Sequence, residues 1–456
     1  MASQDLRSFV AAYREAHPGE VIRVPEPVSI QYDVMALVLE YERRRRYPIL
    51  FFERIAGHDI PIVCNVVASR RVLAFALGVP ERALAGEYAR RIKEYLKPVV
   101  VPEPSFRQRV VTGDAVDLGS LPIPTYFPGD AGPYLTAGML VARDPDTGVE
   151  TEGYHRFQLK GRNRMGVSLH SRRRMFEYQR RAEARGQPLP CAVVLGLHPL
   201  VSMGSLAYPP AEVGKFDVVG GLLGGPLEVT ACSTVDLHVP AAAEIVIEGE
   251  ILPGVREPEG PFGEFTGYFS RRSTEHVFMA RAIAMREQPW FQSIGSGRAA
   301  DHITTLGLIR EAEILNAVSR VIPNVAAVHV PLSGASGFTA YVAIRQSRPG
   351  EGKHVIPIVL GVDHYLKLVI VVDDDIDVFD ESDVLWAVAT RTQADRDLVV
   401  IAGSLGALLD PSADEQGVTA KLGIDATRPF GQPFADKLVM SPERLAWARA
   451  LVDRLG

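Results

Sequence analysis

A chain of 456 residues is too long for a single hydrophobic core and predicts two or three domains. With 47% hydrophobic and 23% charged residues it has an ordinary globular composition, and a formal net charge of −6 argues against a nucleic-acid partner. Three scattered cysteines (Cys64, Cys191 and Cys232) exclude a disulfide framework or thiolate metal site, and the chain has no apolar leader after Met1 and no apolar run of membrane length, so no membrane partner and a cytoplasmic location are expected.

Residues 1–18 read as an amphipathic helix with Leu6, Phe9, Val10 and Tyr13 at helical spacing. Asp33 is expected to cap a second helix over 34–46. Residues 47–52 and 61–67 read as strands joined by a turn at 57–59. Ser69 precedes a helix through 77, and Pro80 with Glu81 begins another, closing a small α/β unit near 105. Short apolar or alternating runs follow at 139–142, 155–159, 165–169, 191–195 and 245–251, a series that suggests a barrel or curled sheet, crossed by one helix at 174–184. The stretch 304–321 keeps Leu308, Ala312, Leu315 and Val318 on one helical face until Pro323 stops it. Beyond 324, strands at 327–331, 339–344, 368–372 and 398–401 alternate with helices at 381–390 and 442–455. The acidic triplet Asp373, Asp374 and Asp375 follows a buried strand, a place where Mg²⁺ can bind. With no glycine-rich phosphate loop beside it, a structural turn is the better reading.

One run stands apart: Glu259, Gly260, Pro261, Phe262, Gly263, Glu264, Phe265, Thr266, Gly267 and Tyr268. Pro261 fixes its own φ and is expected to push Gly260 towards an extended shape, so the segment is a rigid turn able to aim two carboxylates into one pocket. Two close carboxylates resist ionising together, and one of them can hold a proton near neutral pH. Solvated turn acids are the plainer alternative. The basic runs at 43–46 and 172–174 are short and read as solvated or subunit-facing surface.

The glutamate run closely resembles that of the UbiD family, the decarboxylases that use prenylated FMN. Stretches at 61–65, 121–124, 239–249, 373–375 and 421–427 resemble further family landmarks in family order, so the likeness covers nearly the whole chain. It implies a mixed α+β and α/β multidomain fold. Its parts would be an N-terminal α/β unit (1–105), a split β-barrel flavin-binding domain (106–300), a linking helix (301–323) and a C-terminal α/β oligomerisation domain (324–456).

The implied activity is a reversible, non-oxidative decarboxylation of an aromatic, heteroaromatic or α,β-unsaturated acid through a covalent adduct with prenylated FMN. Loss of CO2 from such a carbon leaves an electron pair that the π system cannot delocalise, so an external electron sink is required. By resemblance Arg156 completes the catalytic set, holding Glu259 ionised and leaving Glu264 as proton donor. The implied partners are a small carboxylic acid, a flavin prenyltransferase that supplies cofactor, and further copies of the chain in a dimer or hexamer.

The family holds Mn²⁺ against the flavin phosphate with an Asn, a His and a Glu, and K⁺ also belongs to the family pattern. The matching positions here are Thr151, His170 and Lys215. A protonated lysine cannot ligate a metal and a threonine hydroxyl ligates weakly, which suggests that Lys215 compensates the phosphate directly. A shifted alignment would offer Asp217 or Glu212 instead, and a degenerate site is a third possibility. His302 lies just before the long helix, where a structural hydrogen bond is the plainer reading. Lys421, Asp425 and Thr427 match a landmark without an assigned role. Two rival functions remain: a flavin-independent hydrolase using Glu259 and Glu264, and a catalytically impaired flavin-binding protein with an altered phosphate site.

Overall fold

The computed structural model describes residues 4–169 and 173–455. At the N-terminus, α1 (Leu6–Ala16) buries Leu6, Phe9, Val10 and Tyr13, the four residues that its periodicity places on one face. Next come β1 (Val21–Val28), α2 (Asp33–Arg43), β2 (Ile49–Ile55), β3 (Ile62–Cys64), α3 (Arg70–Leu77) and α4 (Leu84–Arg91). Asp33 is not the cap of α2 but its first residue. Tyr32 caps the helix with a left-handed φ of 74°, and the Asp33 carboxylate accepts the Ser29 N–H instead. Ser69 does cap α3, accepting the Val72 N–H at 3.2 Å.

The central region contributes β4 (Val99–Val100), β5 (Arg109–Thr112), β6 (Tyr134–Leu135), β7 (Met139–Arg143), β8 (Glu150–Tyr154), β9 (Phe157–Gly161) and β10 (Arg164–Val167). It continues with α5 (Arg174–Ala184), β11 (Leu189–Leu195), α6 (Pro199–Ser205), α7 (Lys215–Leu223), β12 (Glu228–Ala231) and β13 (His238–Pro240). Two long strands, β14 (Ile245–Glu259) and β15 (Ser273–Met285), then form the spine of a nine-stranded sheet. Its path runs β6-β9-β10-β15-β14-β11-β7-β8 with β5 on β15, and no pairing among the described residues closes it into a barrel. The short β16 (Phe291–Gln292) pairs parallel to β3 and so ties this region to the N-terminal sheet. Helix α7 contains Gly220 and Gly221 because it lies directly on the end of α4. A Cβ on Gly221 would stand 1.9 Å from the Glu94 carbonyl oxygen.

Helix α8 (Ala300–Ser319) links the two halves and is buried on most sides. The C-terminal sheet, ordered β17-β18-β19-β21-β20, is built from β17 (Val325–His329), β18 (Thr339–Ile344), β19 (Leu368–Asp373), β20 (Leu398–Leu405) and β21 (Val418–Ala426). Its helices are α9 (Glu351–Val362), α10 (Glu381–Arg391) and α11 (Pro442–Leu455). Parallel pairing of β18, β19 and β21 needs crossover helices, which α9 and α10 supply. No helix among the described residues is long and apolar enough to cross a membrane.

Candidate active site

Strand β14 delivers Glu259 as its last residue, opposite Ser273 of β15. There the chain must leave its partner strand, and Gly260 turns it with φ +79° rather than the extended angle the sequence predicts. Glycine alone tolerates that angle cheaply, and a Cβ there would also crowd the Arg271 carbonyl oxygen at 3.1 Å. The Gly260–Pro261 peptide is cis. Backbone bonds then fold the segment on itself, Glu264 N–H to the Tyr268 carbonyl (2.9 Å) and Ser270 N–H to the Phe262 carbonyl (2.8 Å). Asp130 pins the turn from outside, accepting the Gly263 N–H on one oxygen at 2.9 Å and the Phe127 N–H on the other at 2.8 Å. Tyr134 accepts the Gly260 N–H at 3.2 Å, and its ring lies 4.5 Å from that of Phe262.

Arg156 reaches this turn from the link between β8 and β9. Its Nε donates to Glu259 Oε1 at 3.0 Å and its Nη2 to Oε2 at 2.8 Å, a bidentate pair, while Nη1 donates to Glu264 Oε1. One guanidinium therefore holds both carboxylates, and it lies over the Phe262 ring at 5.1 Å. Glu259 is 1% exposed and Glu264 7%. Burial alone would depress the Arg156 pKa, but the negative charges of Glu264 and Glu259 outweigh it and raise the value above its usual range. Burial and the neighbouring Glu259 likewise push the Tyr134 phenol up.

Phe265 closes the far side of the turn. It packs with Ile303 and Ala335, and its ring lies 5.5 Å from Phe338 and 5.6 Å from Tyr365, both in the C-terminal half. The two glutamates thus lie where the central sheet, α8 and the C-terminal domain meet. His302, in the first turn of α8, is within electrostatic reach of Glu264 and Arg156. Its Nδ1–H donates to the Gly297 carbonyl at 2.9 Å, and burial depresses its pKa. Sequence reasoning passed over Tyr134 and Asp130, whose role comes from contacts more than a hundred residues away.

Lys215 meets strand β8 at Glu152, the residue after Thr151. Lys215, the first residue of α7, donates to the Glu152 carbonyl at 2.8 Å and the Ser205 carbonyl at 2.5 Å. Thr151 is 2% exposed with its hydroxyl unpartnered, and Glu152 is 1% exposed with both carboxylate oxygens unpartnered. Burial pushes the Glu152 carboxyl up and the Lys215 amine down, while their mutual attraction opposes both shifts. His170 lies outside the described residues. Among the described residues no three His, Cys, Asp or Glu side chains gather in a way that would hold a metal ion. An ammonium does not ligate a divalent cation and a hydroxyl ligates one weakly, while the buried Glu152 carboxylate beside Lys215 would repel a phosphate.

The remaining candidates have structural partners. Arg391 binds Asp373 at 2.7 Å and Asp375 with both forks, so the acidic triplet is satisfied by protein, as a structural turn requires. Lys421 donates to the Leu360 and His364 carbonyls, and Asp425 accepts both the N–H and hydroxyl of Thr427.

The chain matches three family profiles in succession. They are the N-terminal domain (14–92), the Rift-related domain (99–299) and the C-terminal domain (303–426) of 3-octaprenyl-4-hydroxybenzoate carboxy-lyase. It is 33% identical over 412 residues to anhydromevalonate phosphate decarboxylase of Methanothermobacter thermautotrophicus, covering 90% of this chain and 95% of that one. The UbiD-class enzyme HmfF of Pelotomaculum thermopropionicum, solved with FMN, superposes with a TM-score of 0.92 at 35% identity, over 98% of this chain and 99% of that one. An evolved dimeric form of the same enzyme, solved with prFMN, superposes at 0.88 and 34% identity, over 97% and 98%. With profile matches spanning most of its length and relatives of this similarity, the chain belongs to the UbiD family of carboxy-lyases.

Proposed function

We propose that this protein is a prenylated-FMN-dependent decarboxylase of an aromatic, heteroaromatic or α,β-unsaturated carboxylic acid, with Glu264 as its proton donor. The observation that carries the reading is the single guanidinium of Arg156 bound to both buried carboxylates, Glu259 and Glu264. The prenylated flavin, when bound, supplies the electron sink that accepts the pair left by departing CO2. The chain's residues do the rest. Arg156 holds Glu259 by a two-point bond, which fixes the guanidinium and leaves its third contact to orient the Glu264 carboxyl. Glu264 hands a proton to the carbon that has lost CO2 and is recharged from solvent or, in the reverse direction, from substrate. Phe262 and Phe265 exclude water from that carbon.

The aliphatic, phosphorylated compound named for the 33%-identical relative widens the substrate class beyond aromatic rings. In this reading residues 106–300 form the split β-barrel that holds the flavin, 301–323 link it to the C-terminal domain, 1–105 brace it, and 324–456 join copies of the chain. A flavin prenyltransferase provides the cofactor. The test is to co-express the chain with such an enzyme, record the flavin spectrum and screen aromatic, heteroaromatic and unsaturated aliphatic acids for CO2 release and solvent-deuterium exchange. Release from at least one class by flavin-loaded protein is expected; activity that persists without flavin would overturn the proposal in favour of a hydrolase.

A further inference from the structure

The basic run at 43–46 divides in the structure. Arg43 and Arg44 turn back along α2 to Glu40 at 2.8 and 2.7 Å. Arg45 then takes a left-handed φ of 55°, which a non-glycine residue adopts only at a cost, and with Arg46 it lines a cavity of about 450 Å³. The walls are the N-terminal unit, α8 and the segment around β17, and no lining residue belongs to the glutamate turn. Arg46 donates one N–H to the Gly19 carbonyl at 3.2 Å. Among the described residues neither Arg45 nor Arg46 has a carboxylate within ion-pair distance. Three carboxylates also line the cavity, and each is already held. Glu311 is bound by Arg70 at 2.6 Å and by His329 at 2.8 Å, and Glu20 and Glu81 by Arg71 at 3.5 and 3.3 Å. The unopposed charge is therefore that of Arg45 and Arg46. Ser69, Arg70 and Arg71, the N-cap and first two residues of α3, bring the positive end of that helix to the same wall. From the C-terminal side the cavity is lined by Ser336, which is 1% exposed, has its hydroxyl unpartnered and also takes a left-handed φ, 45°.

We propose that this cavity is a binding site, separate from the glutamate turn, for a small phosphate monoester. A dianion takes two unopposed cations, and the planar donor forks of Arg45 and Arg46 match its several acceptor oxygens. The start of α3 adds its field, and the buried Ser336 hydroxyl supplies a further hydrogen bond. The volume falls within the roughly 300–1,000 Å³ of small-molecule sites, so the ligand is an ester rather than a bare ion, its organic part against Tyr47 and Leu332. The inference stands independently of the flavin-dependent reading.

The test is isothermal titration of the full-length chain with glycerol 3-phosphate, succinate and glycerol at fixed ionic strength, with FMN saturating so that any flavin site is filled. Glycerol 3-phosphate is expected to saturate a single site per chain at least about tenfold more tightly than succinate, and glycerol to give no binding heat. Arg45→Gln and Arg46→Gln should each weaken glycerol 3-phosphate by about tenfold, and Ser336→Ala by about fivefold. Arg43→Gln, from the same basic run but paired with Glu40 outside the cavity, should leave the affinity unchanged. Weakening by Arg43→Gln equal to that by Arg45→Gln would mean a diffuse surface attraction and overturn the site. Succinate binding as tight as glycerol 3-phosphate would overturn the phosphate assignment. Absence of saturable binding up to about 10 mM, or native affinity in both the Arg45 and Arg46 variants, would overturn the proposal outright.

Discussion

Arg156 is the residue on which the site depends. Replacing it by Met leaves Glu259 and Glu264 buried without their cation, and losing one partner of a buried ion pair costs on the order of 3–5 kcal/mol. Urea unfolding of Arg156→Met at pH 7.5 should show a loss of that order together with loss of turnover; an unchanged midpoint would mean the two carboxylates are not held by this guanidinium. A second residue gives a pH dependence. Asp301 accepts the Asn65 and Val67 N–H groups at 2.8 and 3.0 Å, yet burial lifts its carboxyl from 3.8 to about 7. A folded value above the unfolded one means that folding takes up a proton. The contribution is fully present below about 4 and is lost as the pH rises through about 7. Asp301→Asn lacks this titration, so native protein should lose stability relative to the variant between those limits; parallel stability curves would contradict the shift. The glutamate pair was legible because its motif is contiguous, whereas Arg156, 103 residues before Glu259, was legible only through the family resemblance. Tyr134 and Asp130 were not, because each acquires its role from the glutamate turn, a segment distant in sequence.

At the level of elements, the readable ones were those with a strong period and clean punctuation. Arg174–Ala184 and Thr339–Ile344 form where the pattern places them, and α1 buries its predicted face. β1 was missed because Pro25 and Pro27 interrupt it, which an outer strand paired only with β2 tolerates. The paired glycines that make α7 unrecognisable as a helix from sequence are what allow it to touch α4. α9 was obscured by the internal Pro357. The terminal helix α11 was read correctly, but its surface carries a further consequence. It has no buried residue, Trp447 and Val452 are 58% and 66% exposed, and Leu438 and Val439 in the segment before it are exposed as well. In the proposed reading, in which residues 324–456 join copies of the chain, this apolar surface is the one that receives a second copy. Trp447→Glu should therefore reduce the mass measured by light scattering to that of a single chain; an unchanged oligomer, or a native chain already monomeric, would contradict this placement.

Across the whole molecule, α8 does more than connect. Glu311, 0% exposed on α8, takes both Arg70 of the N-terminal unit (2.8 and 2.6 Å) and His329 of β17 (2.8 Å), so one carboxylate fastens three parts of the chain. The Glu311 pKa lies below its usual value, because Arg70 and His329 outweigh the burial that would raise it. Arg70→Met should destabilise the fold by about 3–5 kcal/mol in urea, and a change below about 0.5 kcal/mol would show that the three parts are held elsewhere. The arrangement matters for function because α8 also carries His302 and Ile303, which face the glutamate turn. The central claim, that Glu264 delivers the proton after CO2 departs, is tested most directly by steady-state CO2 release from Glu264→Gln and native holoprotein at matched flavin content. The account predicts equal flavin binding and a turnover lower by about 10²–10⁴-fold in the variant; equal turnover at equal flavin content would contradict it.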